Sequence, residues 1–212
     1  MTIYIRNVLV LIVMLVGAVD VMAIEEAKYT VVTKEADFEI RDYTPHVLAE
    51  IVVDGDLEDA GNKAFRSLFD YISGNNERKD KVAMTAPVSQ QATGEKIDMT
   101  APVGQQRFEE KWRVSFMMPA FYTLKTLPKP LDPKVTLRQV PALRLAVVRY
   151  SGFWSEEGYL RNKAALKSWI ETKELKIIGE PIWARYNAPF SLWFLRRNEV
   201  LIPISPAAGK LK

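Results

Sequence analysis

The chain has 212 residues, 48% of them apolar and 26% charged, which is the make-up of a folded globular protein long enough for one sizeable core. Its net charge of +3 is too small to argue for a nucleic-acid partner. With no cysteine and a single histidine, disulfides, Cys/His dyads and metal sites built from several such ligands are excluded.

Arg6 precedes an apolar run from Val8 to Val19, and Val21 and Ala23 then supply small residues two apart. Charge, a short apolar run and a small-residue site predict that residues 1–23 are a signal peptide that is removed. The protein is then exported, to a periplasm or outside the cell. The alternative is a retained membrane anchor, for which the run is short and carries Asp20 at its end. One domain is expected over residues 24–206, with 207–212 a flexible tail.

Tyr29–Thr33 and Phe38–Arg41 read as strands. In His46–Val53 the alternation puts Val47, Ala49, Ile51 and Val53 on one face, with His46, Leu48 and Glu50 on the other. Asp56 is placed to cap a helix whose stripe is Leu57, Gly61, Ala64, Phe65, Leu68 and Ile72, widened by Phe69 and Tyr71. Gly74 and Asn75 end it.

The segment Lys81-Val-Ala-Met-Thr-Ala-Pro-Val88 then recurs as Lys96-Ile-Asp-Met-Thr-Ala-Pro-Val103. A polar stretch with one glycine separates the copies, so two strands joined by a turn are expected. Trp112–Met118 alternates cleanly. A proline-rich connector spans Pro119–Pro133. Strands are expected at Val135–Val140 and Leu143–Tyr150, followed by a second helix from Glu156 to Thr172. Ser155 is its cap, and Tyr159, Leu160, Leu166, Trp169 and Ile170 form its stripe. Further strands are expected at Ile182–Tyr186 and Val200–Ile204. The order strands, helix, strands occurs twice. This predicts an α+β domain of two βαββ-like halves related by a pseudo-twofold.

The repeated Lys-(Val/Ile)-x-Met-Thr-Ala-Pro-Val segment resembles the signature of the SOUL haem-binding family. Glu39-Ile-Arg-Asp-Tyr43, the connector Thr123–Val135, Tyr150-Ser-Gly152 and Tyr186-Asn-Ala-Pro189 followed by Arg196–Val200 are similar to that family as well. The resemblance implies a twisted antiparallel sheet or distorted barrel flanked by two helices. It also implies a cleft beside the first helix for haem or another flat, apolar, anionic molecule. Carried over by position, Phe65 and Phe69 are the apolar cleft residues. Asn62 stands where the family places a basic residue, Ser191 where it places a lysine, and Asp42 where some members have a histidine. Lys63, Arg66 and Lys81 are the nearby cations in sequence.

Haem ligation has few candidates. His46 groups with Glu50 on the polar side of its strand and is expected at a rim rather than on iron. Met84 and Met99 occupy equivalent repeat positions and are expected to pack. Tyr43, Tyr71 and Tyr186 are not distinguished from one another as ligands. The leading expectation is a non-enzymatic binder. One alternative is a module that uses the aromatic stretch Phe190–Leu195 to bind a protein or membrane. Another is a hydrolase or isomerase, which a buried glutamate beside a tyrosine would support.

Overall fold

A computed structural model describes residues 24–77 and 94–205. The strands are β1 (Tyr29–Glu35), β2 (Phe38–Tyr43), β3 (His46–Val53), β4 (Asn76–Glu77), β5 (Val103–Phe108) and β6 (Lys111–Met117). They continue with β7 (Lys129–Pro130), β8 (Thr136–Val140), β9 (Leu143–Tyr150), β10 (Ile182–Arg185) and β11 (Asn198–Pro203). The helices are α1 (Leu57–Ile72) and α2 (Glu156–Thr172). Nine strands form one curled antiparallel sheet in the order β1-β2-β9-β11-β10-β5-β6-β3-β8, and β4 pairs with β7 in a separate ribbon. The run β8-β3-β6-β5 on one side is answered by β2-β9-β11-β10 on the other, the order that two βαββ-like halves require.

Local chemistry sets the helix ends. The Asp56 carboxylate accepts from the Asp59 amide at 2.8 Å, and Glu58 and Asp59 lie in the first turn of α1. Gly74, at φ +116°, leaves the helix through a conformation that suits glycine. The alternation of β3 turns Val47, Ala49 and Ile51 toward α1, where they pack with Val114 and Phe116 of β6 and with Ala64 and Leu68 of the helix. In α2, the Ser155 hydroxyl accepts from the Gly158 amide at 3.2 Å. Tyr159, Leu166 and Ile170 then cover Ala146, Val148, Val200 and Ile202. Leu160 is exposed instead of joining that stripe, because the buried face follows its neighbour Tyr159.

Both helices lie on the same face of the sheet. Gln105 of β5 and Trp183 of β10 stand directly opposite each other. The Gln105 amide donates to the Leu57 carbonyl of α1 at 2.6 Å, while Trp183 packs against Tyr159 of α2 with ring centroids 5.6 Å apart. Gly61 lets α1 come close here: a Cβ at this position would lie 3.0 Å from Arg185 Nη2 and 3.1 Å from Gln105 Oε1.

The repeated motif departs from the expected pair of strands. Its first copy lies outside the described residues, and with it Lys81 and Met84. The second copy is an extended arm, and ladder pairing starts only at Val103. The Ile97 amide donates to the Ile72 carbonyl and the Ala101 amide to the Glu25 carbonyl, each at 2.8 Å. The Thr100 hydroxyl donates to the Met117 carbonyl. The arm's polar groups are thus drawn to the end of α1, the N-terminal segment and β6 instead of to a twin strand. The Ala101–Pro102 peptide is cis. Met99 is 40% exposed and does not pack in the core as expected.

Candidate functional site

The expected helix residues form a strip on the outer side of α1. Phe65 and Phe69 stack with centroids 5.9 Å apart and planes 11° from parallel. Phe65 is half-buried and meets Phe116 edge-on at 5.3 Å, while Phe69 is 45% exposed. Asn62, Lys63 and Arg66 are exposed on the same helix, with Lys63 Nζ 3.8 Å from Asp59. The strip therefore offers open ring faces beside two cations.

Two cavities lie elsewhere. One of about 220 Å³ is lined by Glu25, Thr44, His46, Met117, Met118 and Tyr122, and one of about 200 Å³ by Trp112, Glu156, Tyr159 and Lys163. Both fall short of the roughly 300 Å³ at which pockets for drug-sized ligands begin. In the first, Glu25 is already committed to the Ala120 amide at 2.8 Å.

His46 lines the larger cavity. Its Nδ1 lies 2.9 Å from the Thr44 carbonyl, and burial lowers its pKa against the opposing pull of that hydrogen bond. On β3 it shares the side of Glu50, away from α1, so the sheet separates it from the strip. Among the described residues, no group of three or more His, Asp or Glu is arranged to hold a metal ion.

Where α1 passes over the sheet, a polar cluster lies beneath it. Arg185 stands opposite Val103 on one neighbouring strand and Asn198 on the other; Val103 in turn faces Phe116, and Asn198 faces Tyr150. Directly opposed residues share a face, so this row lies on the helical side. The guanidinium is 5.0 Å from the Trp183 ring centroid and 5.3 Å from that of Trp154. Its polar partner is Gln105 Oε1, at 3.3 Å from Nη2. Three buried atoms here lack a hydrogen-bond partner, Arg185 Nε, Trp154 Nε1 and Asn198 Oδ1, while Trp183 Nε1 donates to the Tyr150 hydroxyl. Burial pushes the Arg185 pKa down to about 10, so it is still a cation at neutral pH. Sequence reasoning read Ile182–Tyr186 only as a strand. The signal it passed over was an arginine on the same face as Trp183.

The opposite face carries an ionic cluster. Glu199 is fully buried, and its carboxylate accepts from Arg41 at 2.8 and 3.1 Å, from the Tyr186 hydroxyl at 2.8 Å and from Arg197 at 2.9 and 3.0 Å. Burial alone would lower the Arg41 and Arg197 pKa values, yet pairing with Glu199 raises both; burial and Glu199 together hold Tyr186 well above its ordinary value. This is a glutamate beside a tyrosine, the arrangement that would support an enzyme. Its carboxylate, however, is saturated by two guanidinium groups and closed to solvent, which suits an internal tie better than a reacting base.

The aromatic stretch is a connecting loop with a 3₁₀ turn at Trp193–Leu195. Phe190 is 90% exposed, and Leu192, Trp193, Phe194 and Leu195 are exposed beside it. Trp193 stacks on Phe153 at 5.2 Å. Arg196 ties the loop by donating to the Ser191 and Pro189 carbonyls at 2.9 and 2.7 Å.

Comparison with known proteins agrees with this architecture. The curated human protein Heme-binding protein 2 is 27% identical over 172 residues, covering 76% of this chain and 79% of its own. A structure described as a hydrolase from Listeria innocua superposes with a TM-score of 0.54 at 14% identity, over 82% of this chain and 94% of that one. The EcmrR C-terminal domain gives 0.51 at 12% identity, over 84% and 98%. At such identities the two structures establish the fold alone. The family model described as SOUL heme-binding protein matches residues 24–203, and the chain belongs to that family.

Proposed function

We propose that the protein is an exported, non-enzymatic binding protein that takes haem or a related tetrapyrrole against the outer face of α1. The observation that carries this reading is the stacked pair Phe65–Phe69, partly open on a helix of a chain in the SOUL family. A porphyrin ring laid on those faces gains apolar burial, which supplies most of the affinity at such sites. Asn62, Lys63 and Arg66 border the ring, and Lys81 and Met84 belong to the proposed contact set from the segment outside the described residues. Among the described residues the strip fits the ring and offers no axial ligand beside it, so the reading rests on contact with the porphyrin rather than on the iron. Titration of haemin into wild type and into a Phe65→Ser/Phe69→Ser variant tests the reading.

Export rests on the Val8–Val19 run and the Val21/Ala23 pair. N-terminal sequencing of the native protein should find a chain beginning at or near Ile24; Met1 retained on membrane-bound protein would establish an anchor instead.

A second reading has its own support. Phe190, Leu192 and Phe194 together make an apolar loop surface of the kind that meets a protein or a bilayer. Flotation with lipid vesicles, compared between wild type and Phe190→Ser/Phe194→Ser, separates this use of the loop from ring binding on α1.

A further inference from the structure

Buried polar atoms in native proteins are nearly always paired, and a group of them left without partners calls for an explanation. Here, Arg185 Nε and Trp154 Nε1 are donors without a partner, and the Tyr150 hydroxyl, which accepts from Trp183 Nε1, keeps its own proton to donate. Among the described residues, no carboxylate pairs with Arg185, in contrast to Arg41, Arg138, Arg144 and Arg197. A cation with spare donors, held between two indole rings, has the chemistry of an anion receptor.

We propose that this cluster receives the anionic oxygen group of the ligand, with Arg185 as the cation that meets a carboxylate. The inference rests on the reading of α1 as the ring-binding face and identifies what holds the ligand's charged end. Phe65 follows Gly61 by four residues, one helical turn of about 5.4 Å, and Gly61 is the point at which α1 passes over the guanidinium. Phe65 also packs with Val103, the cross-strand neighbour of Arg185. A flat molecule on Phe65 and Phe69 therefore borders Lys63 and Arg66 on the helix surface and lies about one helical turn along from Arg185. The family resemblance assigns basic residues to the positions held here by Asn62 and Ser191. Arg185 supplies from the sheet the charge that those two lack. Glycine at position 61 is part of the design, because a side chain there would crowd Nη2 and Gln105.

The test compares protoporphyrin IX with its dimethyl ester, titrated fluorimetrically into the full chain as wild type, Arg185→Met, Arg185→Lys and Gly61→Ala. Circular dichroism confirms that each variant is folded. Wild type should bind the free acid about tenfold more tightly than the ester, the worth of one charge-assisted contact. Arg185→Met should bind the two within about twofold, with ester affinity unchanged. Arg185→Lys keeps the charge but not the fork and should retain part of the preference. Gly61→Ala should lower it while leaving ester binding intact, and it serves as the second probe if Arg185→Met does not fold. Equal losses for acid and ester in Arg185→Met, or no loss at all, would overturn the proposal. If neither porphyrin binds wild type, the tetrapyrrole reading fails, and anilinonaphthalene sulfonate becomes the probe for Arg185. Binding about tenfold weaker in Arg185→Met upholds the anion site, and equal binding sinks it.

Discussion

Replacing Glu199 with glutamine tests whether the cluster on the sheet's face away from the helices is a structural tie. The carboxylate is fully buried and is the shared acceptor for Arg41, Arg197 and Tyr186. Glutamine keeps the shape but removes the charge and turns an amide N–H₂ toward guanidinium donors. Breaking a buried pair from one side costs about 3–5 kcal/mol, mostly from the charge left behind. Arg41 is only 2% exposed, but Glu39 still accepts from its Nε at 2.6 Å, which keeps some compensation. The expected loss is therefore at the lower end, about 3 kcal/mol. Arg41→Met leaves Glu199 paired with Arg197 and Tyr186 and should cost less, about 1–3 kcal/mol. Because the two residues share one interaction, the double variant should fall short of additivity by at least about 1 kcal/mol. Urea denaturation at pH 7 followed by far-ultraviolet circular dichroism measures all three. A Glu199→Gln protein within about 1 kcal/mol of wild type, or strict additivity, would refute the reasoning.

Phe65→Ala should lose roughly 1–3 kcal/mol in the same assay, below the about 3–5 kcal/mol of a fully buried phenylalanine, because its ring is only half-buried and edges onto Phe116. His46 makes stability depend on acid. Burial lowers its folded pKa, so as pH falls below about 6.5 the unfolded chain takes up the proton first. The stabilisation is full above that pH and is lost as pH drops toward the folded value. His46→Gln should flatten this part of a thermal-melting profile; an unchanged slope would mean that His46 is not the group responsible.

What the sequence made legible is what is decided locally. Alternation located β3 and β9 with their ends, and the caps Asp56 and Ser155 located the starts of both helices. The stripe of α1 was readable, but its edge was not: Phe69 lies at the margin, and only the position of the sheet decides that it stays exposed. The second motif copy reads as a strand by composition, whereas hydrogen bonds to Ile72, Glu25 and Met117, all distant in sequence, hold it as an arm. Arg185, Asn198 and Tyr150 come from three separate strands, and only the register of β9, β11 and β10 puts them in one row. Glu199 likewise gains its meaning from Arg41, which is 158 residues away.

Haem titration at the Soret band tests the central claim most directly, with wild type, Phe65→Ser/Phe69→Ser and His46→Ala side by side. The account predicts that wild type binds without a six-coordinate histidine spectrum. His46→Ala should stay within about threefold of its affinity, since no contact worth more than roughly 0.7 kcal/mol is lost. The double serine variant should bind far more weakly while remaining folded. An unaffected double variant, together with loss of a low-spin spectrum in His46→Ala, would contradict the account and move the site to the cavity beside β3.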